Sequence, residues 1–191
     1  APSALLIALV ASLVVGQGQV LRLDVADEPG LAAVTVDWND RTIPFVRDGD
    51  GWFTLIGVDL DLLPGAHRAV VTRTGADGRV QQVERRIDVA ERQFPTTHLT
   101  VEPKYVALSA ANEARAARER VEIGAVYSHI TPAALWTDPF IVPLPVTTGG
   151  RNFGHRRVFN DQPRAPHSGA DLKAATGTEI RAANSGRVVL A

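Results

Sequence analysis

Residues 20–38 read VLRLDVADEPGLAAVTVDW. Leu21, Leu23 and Val25, then Val34, Val36 and Trp38, alternate with polar or small residues, and a period of two puts each set on one face of an extended strand. The pattern runs on to about Val89. Asn39-Asp40, Asp48-Gly49-Asp50-Gly51, Pro64-Gly65 and Gly75-Ala76-Asp77-Gly78 are turn formers. They separate Arg41 to Val46, Trp52 to Val58, His67 to Thr74 and Arg79 to Val89. Six or seven short strands with turns about every 8 to 12 residues mark an immunoglobulin-like β-sandwich, expected over residues 20–92 with Trp38 and Trp52 in its core. The Asp residues here sit in turn clusters, where they cap the backbone. His67, between Ala66 and Arg68, reads as a strand or surface histidine, and the domain as a spacer or binding module.

Upstream, Ala4 to Val15 is a run without charge, too short for the about 20 apolar residues that span a bilayer. It fits the apolar centre of a secretory signal, with a buried first strand or core helix as the alternative. Residues 1–19 are therefore read as a signal-like segment, which places the protein in the periplasm or outside the cell and limits membrane contact to that segment. The 191 residues include no Met and no Cys. The first residue is expected not to be the natural start. Without Cys there is no disulfide, thiolate zinc site or cysteine nucleophile, so any metal must be held by His and carboxylates. With 45% hydrophobic and 21% charged residues, the composition excludes collagen, a long coiled coil and wholesale disorder.

Downstream, residues 93–146 read as a linker with one helix. Phe94 to Lys104, with Pro95 and Pro103, is an extended connector, and Ser109, with Asn112 and Glu113, caps a helix from Ala110 to about Val121. Its Glu and Arg residues make a solvated, ion-paired face. Pro132, Pro139, Pro143 and Pro145 keep Ile130 to Pro145 from forming a long regular element. Residues 151–191 carry seven Arg/Lys against three Asp/Glu, a net +4 that leaves −5 for residues 1–150. This suits an anionic polymer but lacks the clustered basic face of a nucleic-acid binder, so no nucleic-acid partner is expected.

The chemistry is concentrated in Pro166-His167-Ser168-Gly169-Ala170-Asp171. A neutral imidazole and a carboxylate are two of the ligand types zinc accepts. In a straight strand four residues span about 13 Å, so both could reach one ion only if the chain bends, and Gly169 is the residue best able to bend. On these residues alone a structural His–carboxylate hydrogen bond is the preferred reading of the pair.

The surrounding motifs add a resemblance. Phe153, Gly154 and Arg156; Arg164, His167, Gly169 and Asp171; Gly177, Thr178 and Ala182; and Gly186 and Val188 follow the pattern of the first half of a lysostaphin-type (LytM-like) zinc endopeptidase domain. Leu99 to Arg120 resembles, more loosely, the connector before it. The resemblance covers about forty residues strongly and implies a zinc metalloendopeptidase that cleaves peptide bonds in peptidoglycan cross-links or stem peptides. It implies that His167 and Asp171 ligate Zn2+, that Gly177 and Gly186 are turn glycines of a small antiparallel sheet, and that residues 147–191 are the first half of the peptidase domain. In that family a third His ligand and a His base follow in a His-x-His segment and beyond. This chain reaches Ala191, on the strand with Val188 and Val189, and contains neither. A fragment of a longer enzyme, itself inactive, is expected. His129 and His155 are weighed as substitute ligands and Asn160 as an occluding one, with surface, strand-end and turn roles preferred. The alternative reading is a non-catalytic LytM-like scaffold or activator of other wall hydrolases.

Overall fold

The computed structural model describes residues 12–102, 109–131, 133–136, 138–145 and 148–190. The alternating stretch forms two strands, which lie in different sheets. In chain order, the first unit contains β1 (Leu13–Gly16), β2 (Val20–Ala26), β3 (Leu31–Trp38), β4 (Arg41–Pro44), β5 (Val46–Asp48), β6 (Gly51–Gly57), β7 (Gly65–Gly75) and β8 (Val80–Ala90). One sheet has the order β1-β8-β7-β3-β4 and the other β2-β6-β5. Among the described residues of this unit only β1 and β8 pair in parallel; the other ladders are antiparallel, and the arrangement is an immunoglobulin-like sandwich.

The period-two residues fill the space between the sheets. Leu23, Val25 and Ile56 come from the smaller sheet and Val34, Val36, Trp38, Val71, Ile87 and Val89 from the larger. Trp38 and Trp52 are both buried, each with its indole N–H satisfied, by Gly57 O at 2.9 Å and Asp27 Oδ1 at 2.8 Å respectively. His67 packs edge-on against Trp38, with Nε2 2.7 Å from Leu63 O. The Asn39-Asp40 turn takes left-handed φ at both residues, 48° and 61°, as a two-residue hairpin requires.

Two boundaries are corrected. Arg41 to Val46, read as one strand, is divided between the sheets as β4 and β5. Pro44 lacks the N–H that would extend the ladder, and the buried Phe45 turns inward with its N–H on Val34 O at 2.9 Å. The second concerns residues 1–19. Leu13–Gly16, placed by sequence in the signal-like segment, forms β1, and Val15 lies in the core. A run of apolar residues serves a leader and a strand equally, so composition could not separate them; Ala4 to Ala11 lies outside the described residues.

The chain divides after Arg92. The second unit contains β9 (Thr96–Leu99), α1 (Ala110–Ser128), β10 (Thr148–Gly149), β11 (Arg156–Phe159), β12 (Gln162–Pro163) and β13 (Leu172–Lys173). β10 pairs antiparallel with β13 and β11 with β12, while β9 joins β11 in parallel. Ser109 caps α1, its hydroxyl accepting from Asn112 N–H at 3.4 Å. The helix runs past the expected end at Val121 to Ser128, because nothing from Glu122 to Tyr127 breaks it, Gly124 included. Arg115 and Glu119 pair one turn apart on its surface. No described helix is long and apolar enough to cross a membrane. The segment 103–108, with Pro103 and Lys104, and Pro132 lie outside the described residues. Part of the proline-rich linker instead lies along residues 181–183, through Ile141 N–H to Ala183 O at 3.0 Å and Arg181 N–H to Pro143 O at 2.9 Å. Val188 and Val189, expected on a strand, are exposed and in no ladder among the described residues.

Two outcomes follow for the sandwich. Ile56 is fully buried, so Ile56→Ala should cost about 2–5 kcal/mol in denaturant unfolding. The Asp27 carboxyl is held below the usual carboxylate range, first by the Trp52 indole hydrogen bond and then by the Arg47 charge, against some desolvation. A depressed pKa stabilises the fold above the unfolded value of about 3.9 and stops doing so as pH falls through the lower folded value. Asp27→Asn should therefore be less stable than the parent near pH 6, and the difference should shrink as the pH is lowered past 4 in parallel urea titrations.

Candidate metal centre

The turn Asn152-Phe153-Gly154-His155 organises the neighbourhood of His167 and Asp171. His155 N–H closes it on Asn152 O at 3.1 Å, and Gly154 supplies a φ of 78° at the third position. A Cβ on Gly154 would lie 2.1 Å from Phe94 Cδ1, so the ring covers the turn where only glycine fits. Gly154 N–H donates to His167 O at 2.7 Å, and His167 N–H donates to His155 O at 3.0 Å. Both backbone groups of His167 are thereby fixed by this one turn.

Asp171 is fixed from two sides. Its carbonyl accepts from Gly150 N–H at 2.9 Å, and Gly149, at a φ of 117°, brings its backbone so near that a Cβ would fall 2.5 Å from that same oxygen. Its N–H donates to Asn152 Oδ1 at 2.9 Å, while Asn152 Nδ2 donates to Asp171 Oδ2 at 2.6 Å. Leu172, the next residue, pairs with Gly149 in the β10–β13 ladder.

These anchors bring the two side chains together. His167 Nε2 and Asp171 Oδ1 are 3.0 Å apart, with the histidine side chain 24% exposed and the carboxylate 65%. The chain does bend at Gly169, yet without the left-handed φ that only glycine takes easily, and a Cβ there would make ordinary contact with His167 Cε1 at 3.8 Å. Gly149 and Gly154, rather than Gly169, are the positions where backbone geometry demands glycine. Gly177 occupies a turn at a φ of 86°, whereas Gly186 has no positive φ.

Hydrogen bonding selects the histidine tautomer. Nδ1 is 2.6 Å from Gly169 O, and a carbonyl can only accept, so Nδ1 carries hydrogen. Gly169 N–H, 3.3 Å from the same nitrogen, cannot donate to it in that state, and the shorter contact decides. Nε2 then faces a carboxylate oxygen across a gap that suits a shared proton or a cation. Two donors each about 2 Å from a zinc ion stand about 3 Å apart, so the pair fits as part of a zinc ligand set.

The set has two members. Among the described residues no group of three His, Cys, Asp or Glu side chains converges. His155, weighed as a substitute, has Nε2 2.8 Å from Thr97 Oγ1, between β9 and β11. His129 caps the end of α1. Asn160, weighed as an occluding ligand, is a turn residue at a φ of 47° whose carboxamide makes both hydrogen bonds to Val101, at 2.9 Å each. The residue that sequence reading missed is Asn152; the signal available was its place two before Gly154, the first position of a glycine-containing turn.

Among solved structures, the chain is similar to a crystal structure described as a "putative peptidase M23" from Pseudomonas aeruginosa. The identity is 22% over 91% of this chain and 61% of that one, with a TM-score of 0.54. The two share a fold. The chain thus spans about three fifths of that structure's length. No family model and no curated protein matches the chain.

Gly154→Ala should expel the turn from beneath Phe94. Amide hydrogen exchange at His167 and Gly154 is expected to accelerate together, and unchanged protection at both would contradict the role given to this turn.

Proposed function

We propose that the protein is a zinc-dependent endopeptidase of the cell envelope, acting on peptide bonds of peptidoglycan cross-links or stem peptides, with His167 and Asp171 as two of its zinc ligands. The observation that carries this reading is the convergence of Nε2 and Oδ1, with the Nδ1 hydrogen held by Gly169 O. It is supported by the shared fold with a structure described as a peptidase M23, the LytM class that the motifs around His167 resemble. The net positive charge of residues 151–191 suits a substrate bearing free carboxylates. The same reading places the protein in the periplasm or outside the cell.

Zinc bound there would lower the pKa of a water to about 7 and polarise the scissile carbonyl. The contribution of this chain is to orient the two ligands before the metal arrives, through the backbone bonds at Gly150, Gly154 and His155. A catalytic zinc takes three protein ligands and a general base. The reading therefore requires the third ligand and the base to come from outside the described residues.

That requirement is what favours a second reading, a non-catalytic scaffold or activator of other wall hydrolases: two convergent donors are all that the described residues provide. Incubating the full-length natural protein, rather than this chain alone, with purified peptidoglycan and counting new amine termini separates the two. The enzyme reading predicts release that is abolished by His167→Ala and by chelation and restored by zinc. Release that survives His167→Ala would overturn it, and no release from a zinc-loaded protein would leave the scaffold.

A further inference from the structure

The carboxamide of Asn152 touches Asp171 twice, with Nδ2 2.6 Å from Oδ2 and Oδ1 2.9 Å from the backbone nitrogen. Its orientation is fixed by chemistry. A carboxylate oxygen accepts and a backbone N–H donates, so a flipped carboxamide would lose both bonds at once. Two bonds from one planar group fix the position of Asp171 and the rotation of its carboxylate, which a single bond would leave free. Oδ2 is thereby occupied, and Oδ1 is the oxygen turned to His167 Nε2. The base of the Asn152 side chain is itself fixed, because Asn152 O accepts the hydrogen bond that closes the 152–155 turn. That turn holds the His167 backbone through Gly154 and His155. One four-residue turn thus grips both members of the pair, His167 by its backbone and Asp171 by the side chain of its first residue.

We propose that Asn152 is a positioning residue of the cation site, presenting Asp171 Oδ1 to the ion shared with His167; the inference rests on the zinc reading above. Ligand carboxylates are commonly oriented by hydrogen bonds of this kind, and removing such a partner weakens metal binding about 10–100-fold. A residue that only tied the ends of the loop together would lower stability without changing the affinity of the folded protein.

The test uses the chelator-stripped full-length natural protein titrated with Zn2+ against a chromophoric competitor, with the melting temperature of each metal-free variant recorded in parallel. Asn152→Ala should bind Zn2+ about 10–100-fold more weakly than the parent, and His167→Ala should lose the site. Asn152→Ala binding as tightly as the parent, with His167→Ala still defective, would overturn the positioning role and leave the zinc site standing. Equal binding by the parent and His167→Ala would remove the site and the proposal with it. If alanine prevents folding, Asn152→Ser replaces it, since a single hydroxyl, a bond shorter than the carboxamide, cannot reproduce both contacts that the two terminal atoms of Asn152 make. Weaker binding by this variant is expected, and unchanged affinity would overturn the role.

Discussion

A type II turn closed under an aromatic ring is the constraint on which the candidate site depends. Gly154 can hold its left-handed φ with the Phe94 ring against it only because it has no side chain. Given that turn, Gly154 N–H and His155 O point the same way and accept the backbone of His167 as a short ladder would. The Asn152 side chain leaves the other end of the turn toward Asp171. Each of these parts bonds directly to His167 or Asp171, so the Phe-Gly-x-Arg segment contributes position to a pair that lies more than ten residues further along.

The same economy governs Asp171 from its other side. Gly149 and Gly150 approach its carbonyl so closely that a Cβ on Gly149 would collide with the oxygen. A carboxylate held by backbone at its carbonyl, by a carboxamide at its N–H and Oδ2, and facing an imidazole at Oδ1 has little rotational freedom left. On the proposed zinc reading, such preorganisation would spare a metal the cost of ordering the pair. It also accounts for the alignment of Asp171, whose carboxylate is largely exposed.

How much of this could be read from sequence varied with the range of the interaction. The sandwich was legible because a half-buried strand repeats every two residues, as Leu23 and Val25 or Val34 and Val36 do within their own strands. The Asn39-Asp40 and Asn160-Asp161 hairpins were legible as local turn chemistry. β1 was legible only as an alternative to a leader, since Leu13 to Val15 are all apolar in sequence and the burial of Val15 depends on β8, more than seventy residues away. The division of Arg41 to Val46 between two sheets depends on what Phe45 meets across the core. At the site, His167 and Asp171 were singled out by the resemblance of the surrounding motifs, since their spacing alone favours a structural hydrogen bond, and the bend at Gly169 was legible from a glycine placed between them. Asn152 could not be found that way: its partner lies nineteen residues on, and a carboxamide that holds a distant carboxylate has no pattern of its own.

Diffraction from crystals grown with zinc, recorded on both sides of the zinc absorption edge, tests the central claim most directly. The account predicts one strong anomalous peak between His167 Nε2 and Asp171 Oδ1, with the Asn152 carboxamide still on Oδ2. An anomalous peak elsewhere with none at this pair, or fully zinc-loaded crystals in which the two side chains keep a direct hydrogen bond, would contradict it.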